Sequence, residues 1–149
     1  MNETVQRYLQ EHHVATLATS GEDLWAAAVF YVSDGYILYF LSSPASRHCR
    51  NLAHNPRVAL TIQEDYADWP AIKGVQLEGI AVEIAGDEEA HARRLYGQKF
   101  PVVGKLAQAP AAIVKAMAKV RWYKIMPQRL YFIDNSTGFG HRDEIDLAG

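Results

Sequence analysis

Hydrophobic positions follow a helical spacing at the start of the chain and strand-like runs over most of the rest. Val5, Tyr8 and Leu9 share one face of the segment from Asn2 to Glu11, which predicts a helix. The later apolar runs end at turn residues, a pattern typical of β-strands. Such strands are predicted over Val14–Thr19, Leu24–Val32, Tyr36–Leu41, Val58–Gln63, Gly74–Ala85, Arg121–Met126 and Arg129–Asp134, with Pro127 and Gln128 separating the last two.

A few helices are predicted between these strands. One runs from Arg47 to about His54, since Pro56 cannot continue it. Asp87 is expected to cap another helix that extends to about Gln98, and 100–119 is expected to hold one or two short helices broken at the prolines. Several short strands with few helices predict a mainly β fold, a barrel with peripheral helices.

Two predicted strands contain residues that strands usually avoid. Ala26, Ala27 and Ala28 are consecutive, and alanine has a poor strand propensity. Either a flat object or another chain lies against them, or they pack tightly inside a narrow barrel. Gly79, in the interior of the longest run, predicts a bulge or a close backbone approach.

Two runs, Val29–Val32 and Ile37–Phe40, are apolar on both faces. In a small antiparallel protein one face of a strand normally meets water, so both faces of these strands need cover. A second subunit is the simplest cover, which predicts a homodimer.

Composition narrows the class of protein. The 149 residues fit a single domain over 1–149, and 49% of them are hydrophobic, enough for a core. The net charge is −2 and the 15 basic residues are scattered, which argues against nucleic acid as a partner. A single cysteine suits a reducing compartment, and no apolar run approaches the ~20 residues that cross a membrane. We therefore expect a cytoplasmic protein without a membrane or nucleic-acid partner.

The segment 41–60 holds a candidate anion site. Ser46 can cap the predicted helix, and Arg47, His48 and Arg50 stand in its first turn. Backbone N–H groups at a helix start, the helix dipole and a guanidinium all favour a phosphate. The alternative is a capped surface helix with ordinary arginines.

No metal site is predicted from the histidines. His12 and His13 are adjacent, so on a helix their side chains point about 100° apart. Cys49, with His48 and His54, lacks the ligand spacing of a zinc site.

The order of these motifs resembles the pyridoxamine 5′-phosphate oxidase-like FMN-binding split-barrel family. The resemblance covers nearly the whole chain and is carried by VATLAT, FYVSDGYILYF, S-x-x-x-S-R, NPRVAL and GVQLEG in that order. The tail 135–142, NSTGFGHR, is similar to that of a short branch without an assigned reaction. The resemblance implies a six-stranded antiparallel split barrel that forms a homodimer and binds two FMN molecules at the subunit interface.

The resemblance also implies the cofactor contacts. The phosphate would meet the serines and cations around the start of the helix, and the strand with the alanine run would lie along the flavin. The tail would reach the flavin bound mainly by the other subunit. The implied cofactor-binding residues are Trp25, Ala26, Ala27, Ala28, Ser42, Ser46, Arg47, His48, Gln76, Phe139 and Arg142.

Two cationic contacts of the family's oxidases are missing. The second strand has Trp25, Ala26 and Ala27 where they have an arginine, and His48 stands where they have a lysine. Charge-assisted hydrogen bonds contribute roughly 1.5–3 kcal/mol each, so weak or absent FMN binding is expected. We expect an FMN-binding oxidoreductase with an unidentified small-molecule substrate and unassigned catalytic residues. The alternatives are a non-catalytic protein that binds a flavin or another ligand, and a structural or interaction module with an empty cleft.

Overall fold

A computed structural model describes residues 2–104 and 110–149. The predicted mainly β fold is confirmed, and most element boundaries fall within a few residues of the expected ones. The helices are α1 Glu3–Glu11, α2 Arg47–His54, α3 Gly86–Lys99, α4 Pro101–Gly104 and α5 Ala111–Met117. The strands are β1 Val14–Ser20, β2 Leu24–Asp34, β3 Ile37–Ser42, β4 Arg57–Gln63, β5 Lys73–Ile84, β6 Arg121–Asp134 and β7 Arg142–Glu144. Short 3₁₀ turns lie at Trp69–Ala71 and Asn135–Thr137.

Six antiparallel strands form a closed barrel, as expected. Among the described residues the strand order is β3-β2-β1-β4-β5-β6, and pairing of β3 with β6 closes the ring. β7 pairs with the second half of β6, opposite residues 131–133. The tail is therefore tied to the sheet of its own chain.

The bulge predicted at Gly79 is confirmed. The β5–β6 register shifts between Glu78 and Gly79, where the partner strand carries Pro127. A Cβ at Gly79 would collide with the carbonyl oxygen of Met126, which explains the glycine. The prediction of two separate strands around Pro127 is wrong. Pro127 lies at the bulge, and β6 continues through it from Arg121 to Asp134.

Buried side chains form two clusters. The larger one fills the barrel and includes the α1 residues Val5, Tyr8 and Leu9, as their shared face predicts. The smaller one lies outside the barrel, where Val32 and Tyr39 pack with Trp122 and side chains of α3. α3 therefore covers part of the doubly apolar strands, so those residues do not require a second subunit. The homodimer stays a prediction.

Two helical details complete the comparison with the sequence. α3 begins at Gly86 rather than after an Asp87 cap: Ala85 is the N-cap, without a side-chain hydrogen bond, and Gly86 has a φ of 64°. α4 begins at Pro101 and α5 follows Pro110, as expected for 100–119, of which 105–109 lie outside the described residues. No helix in the described part of the chain is long and apolar enough to cross a membrane.

Candidate functional site

The first candidate region is the start of α2. Ser46 has the backbone geometry of an N-cap, and its Oγ accepts a 3.4 Å hydrogen bond from the Cys49 N–H. The same hydroxyl donates to the Ser43 carbonyl at 2.6 Å. The predicted cap is confirmed, and the first N–H groups of the helix have no partner within the helix.

Arg47, the predicted phosphate ligand, is already paired. Its Nη2 donates to Asp23 Oδ2 at 3.1 Å, and its guanidinium lies 4.2 Å from the ring centroid of Trp25. A second arginine, Arg50, donates to the Ala45 carbonyl at 2.8 Å and lies 3.9 Å from Glu22. Two acidic side chains from the β1–β2 turn thus offset the two arginines of this region.

His48 links two of the predicted serines. Its Nε2 lies 2.7 Å from Ser42 Oγ and 3.4 Å from Ser46 Oγ. Burial lowers the pKa of His48. The ring is therefore neutral at neutral pH, and it does not supply the positive charge of the lysine that it replaces.

Asn51 organises this region and was missed in the sequence. It is fully buried in the middle of α2, and its Nδ2 donates to Thr19 Oγ1 and to the Asp23 carbonyl, each at 2.9 Å. Its Oδ1 accepts from the Glu22 N–H at 2.9 Å. These bonds fix the turn that carries Asp23 beside α2. No local pattern marks this role, because the partners are about 30 residues away.

The second candidate region is an outer face of the barrel. Ala26 and Ala28 are exposed, whereas Ala27 is half-buried and pairs with the fully buried Leu17. Packing in a narrow barrel accounts for Ala27 alone. Ala26 and Ala28 face outward, where a flat object or another chain can lie against them.

Strand register places each of these two alanines at the start of a row of outward residues. The rows are small on β2, β1 and β4 and larger and polar on β5 and β6. The first row runs from Ala26 through neighbouring strands, and the second runs from Ala28 in the same direction. The members of the first are Ala26, Ala18, Ala59, Glu78 and Arg129; those of the second are Ala28, Thr16, Thr61, Gln76 and Tyr131. At the usual strand spacing, the three steps from Ala28 to Gln76 span about 14 Å.

A groove of about 440 Å³ lies on these rows, at their β4–β5–β6 end. An adjoining depression of about 350 Å³ shares Ala18, Ala59 and Glu78 with it. The groove therefore has small side chains on one side and polar side chains on the other, a composition that suits a small molecule.

The tail places Arg142 in this groove. Arg142 pairs with Ile133 across β6–β7, and its Nη1 donates to Gln76 Oε1 at 3.2 Å. Its guanidinium lies 4.4 Å from the ring centroid of Tyr131. The segment is anchored by Ile145, whose side chain is buried and whose N–H donates to the Leu130 carbonyl at 2.8 Å.

The predicted site residues thus fall into separate groups. Trp25 lies under Arg47 beside the serines and His48, and Ala27 faces the barrel interior. Phe139 is 82% exposed and contacts Trp69, with 5.2 Å between ring centroids, and it does not line the groove. On the outer face, Ala26 and Ala28 lie in the rows, Gln76 lies in a row and lines the groove, and Arg142 lines the groove.

Comparison with known proteins agrees with this architecture. Residues 1–134 match the pyridoxamine 5′-phosphate oxidase family, and the chain belongs to it. A UPF0306 protein of Klebsiella pneumoniae is 34% identical over 141 residues, 93% of this chain and 88% of that protein.

Solved structures with the same fold include heme proteins. The heme binding protein from Mycobacterium smegmatis superposes with a TM-score of 0.74 at 26% identity, over 96% of this chain and 57% of that one. HutZ, the heme storage protein from Vibrio cholerae, gives a TM-score of 0.67 at 21% identity, over 85% of this chain and 90% of that one. This chain thus spans a little over half of the mycobacterial protein.

Proposed function

We propose that this protein binds FMN on the outer face of the barrel, within a homodimer, and acts as an oxidoreductase on a small molecule. One observation carries the proposal: two register-aligned rows of outward side chains are small on β2, β1 and β4 and lead to Gln76 on β5, beside Arg142. Alanine and threonine let a planar ring approach the strand backbones closely, and the polar end offers hydrogen bonds to its edge.

The start of α2 fits the phosphate of such a ligand only weakly. Hydroxyls of Ser42 and Ser46 and the free N–H groups of the first turn suit an anion. Against this, Asp23 occupies Arg47, and burial keeps His48 neutral. The expected consequence is a modest affinity for FMN.

The roles of the chain's own residues follow from this arrangement. FMN, when bound, supplies reversible electron transfer, and the protein supplies binding and orientation. Ala26 and Ala28 leave room for the ring, and the Gln76 amide provides a polar contact at its edge. The exposed Leu24 and Phe30, on the same outer face of β2, are available to a second copy of the chain.

Heme is the second candidate, because proteins of this fold bind or store it. The usual axial ligands of heme iron are histidine, cysteine and methionine, with tyrosine in some proteins. The described residues that line the groove include none of the first three, and Tyr131 lies under Arg142. The groove chemistry therefore favours FMN.

The absorbance spectrum of the purified protein separates these candidates. A flavin spectrum after purification, or after incubation with FMN and removal of excess, supports the proposal. A Soret band after incubation with hemin, without retention of FMN, contradicts it.

Reduction of the bound flavin by a nicotinamide cofactor separates an enzyme from a binding protein. Bleaching of the flavin absorbance on addition of NADH or NADPH supports the oxidoreductase. Retained FMN that neither nucleotide reduces favours the non-catalytic alternative.

A further inference from the structure

We infer that Arg142 is a carboxylate receptor, and that the small molecule recognised in the groove is a flat, conjugated monocarboxylate. This inference rests on the proposed function, since it names the substrate class of the same groove. It starts from how Arg142 is held rather than from the fact that an arginine is present.

Arg142 is positioned by neutral groups. Gln76 accepts one hydrogen bond from its Nη1 at 3.2 Å, and the Tyr131 ring supports its face at 4.4 Å. Within residues 2–104 and 110–149, no carboxylate lies within ion-pair distance of it. Its charge is therefore held in place without a direct ion-pair partner among the described residues.

Other arginines around the candidate site differ in this respect. Arg47 pairs with Asp23 at 3.1 Å, and Arg129 pairs with Glu78 at 3.4 Å. An anion that binds either of them has to displace a carboxylate of the protein. An anion that binds Arg142 does not.

The geometry and charge select a carboxylate over a phosphate. With Nη1 on Gln76 and one face on Tyr131, the remaining edge of the guanidinium offers the parallel N–H pair that a carboxylate accepts in a bidentate way. A single unpaired cation offsets a single negative charge.

The surroundings select a flat ligand. The rows next to Arg142 present Thr16, Ala18, Ala59 and Thr61, whose short side chains leave a shallow floor. A conjugated ring can lie parallel to this floor, above the flavin when FMN is bound, while its carboxylate reaches the arginine. A bulky aliphatic acid would collide with the strands before its carboxylate reached Arg142.

Matched probes test the inference. Cinnamate and cinnamamide have nearly the same shape and differ in charge, and phenyl phosphate carries the competing anion. Each is titrated calorimetrically into the wild type, into Arg142→Gln and into Arg94→Gln, which changes an exposed arginine of α3 that does not line the groove, with and without saturating FMN. Both substitutions keep a polar side chain, and thermal melting checks that each variant is folded.

The expected result is that cinnamate binds the wild type about tenfold or more tightly than cinnamamide, the effect of one charge-assisted bidentate contact. Arg142→Gln abolishes this preference, and Arg94→Gln retains it. Equal affinity for the two probes, or a preference unchanged in Arg142→Gln, would overturn the inference. Phenyl phosphate binding tighter than cinnamate would overturn the choice of a carboxylate.

The two proposals fail separately in this experiment. A cinnamate preference without FMN binding removes the flavin proposal and keeps the carboxylate receptor. FMN binding without a cinnamate preference removes the receptor and keeps the flavin proposal.

Discussion

The start of α2 and the outer groove both contain an arginine expected to meet the ligand, and the two arginines differ in their partners. At α2, Arg47 is held by Asp23, and the neighbouring His48 has lost its charge through burial. In the groove, Arg142 is held by the Gln76 amide and the Tyr131 ring. At the start of α2, the positive charge is therefore already paired or lost. In the groove, which long-range strand pairing assembles, the charge of Arg142 has no ion-pair partner among the described residues.

This difference shows why a short motif alone is a weak guide to affinity. Ser46 and Arg47 satisfy every local requirement of a phosphate site. Whether the site binds strongly depends on Asp23, which reaches α2 only because Asn51 fixes the β1–β2 turn.

The largest effect is expected from filling the groove. Ala59→Trp places a large side chain on its floor, and we expect FMN affinity to fall about 30-fold or more, roughly 2 kcal/mol. Because Ala59 is exposed, the fold should be retained. Fluorescence titration with FMN measures the loss.

The matched control is Gln63→Trp on the same strand. Gln63 is exposed, lies four positions after Ala59 and so faces the same side, and does not line the groove. If it weakens FMN binding as much as Ala59→Trp does, the groove is not the site.

A second effect concerns the homodimer, which the outer face of β2 should support. Phe30 remains 56% exposed there, in a run that needs cover. Phe30→Glu should weaken self-association about tenfold or more, because a charge replaces an apolar side chain in the contact. Sedimentation at several concentrations measures it.

The control for the dimer is Val114→Glu, a change at an exposed apolar side chain on α5. It should leave self-association unchanged. A wild type that sediments as a monomer at micromolar concentration would contradict both the dimer and a site shared between subunits.

A smaller effect should follow from releasing Arg47. If Arg47 had no acidic partner, its removal would be expected to cost about 1.5–3 kcal/mol of FMN binding. Since Asp23 already occupies it, we expect Arg47→Ala to cost only about 1 kcal/mol, and Asp23→Asn to raise FMN affinity a few-fold. Titration of both variants checks the pair, and unchanged affinity in Asp23→Asn would show that the pairing does not limit binding.

The smallest effect is a dependence on pH at His48. Burial lowers its pKa below the ordinary value of 6.5, so the ring gains a proton only in more acidic solution. The ratio of FMN affinity between the wild type and His48→Gln should then rise as the pH falls below 6.5, because the added charge favours the phosphate. The ratio cancels the titration of FMN itself, and a flat ratio would contradict the assignment of His48 to the phosphate.

The lowered pKa of His48 also determines how protein stability changes with pH. Just below pH 6.5 the unfolded chain binds more protons at this histidine than the folded chain does. The contribution of His48 to stability is therefore lost as the pH falls through this window. Chemical denaturation of the wild type and of His48→Gln at several pH values measures that loss.

Much of the fold follows from local patterns in the sequence. The α1 face, the strands and the bulge at Gly79 were predictable because periodicity and glycine chemistry act over a few residues. The continuity of β6 through Pro127 was not, since it depends on how β6 pairs with β5, where Gln128 of β6 is the extra residue of the bulge. The cover that α3 gives to Val32 and Tyr39 was missed for the same reason, as it joins segments distant in the chain.

The candidate site divides in the same way. The cap at Ser46 is local and was predicted, whereas the Asp23 pairing and the Asn51 bonds depend on tertiary contacts. Arg142 was singled out by family resemblance, but its neutral partners follow from strand register. Register also shows that deletion of 138–149 would remove Ile145 from the core, so point substitutions test the tail better.

The most direct measurement of the central claim is an equilibrium titration of the flavin-free protein with FMN, followed by quenching of flavin fluorescence. The outer-groove account predicts saturable binding of one FMN per chain in the wild type and in Gln63→Trp, and loss of saturation over the same range in Ala59→Trp. No saturable quenching in the wild type, or equal saturation in all three proteins, would contradict it.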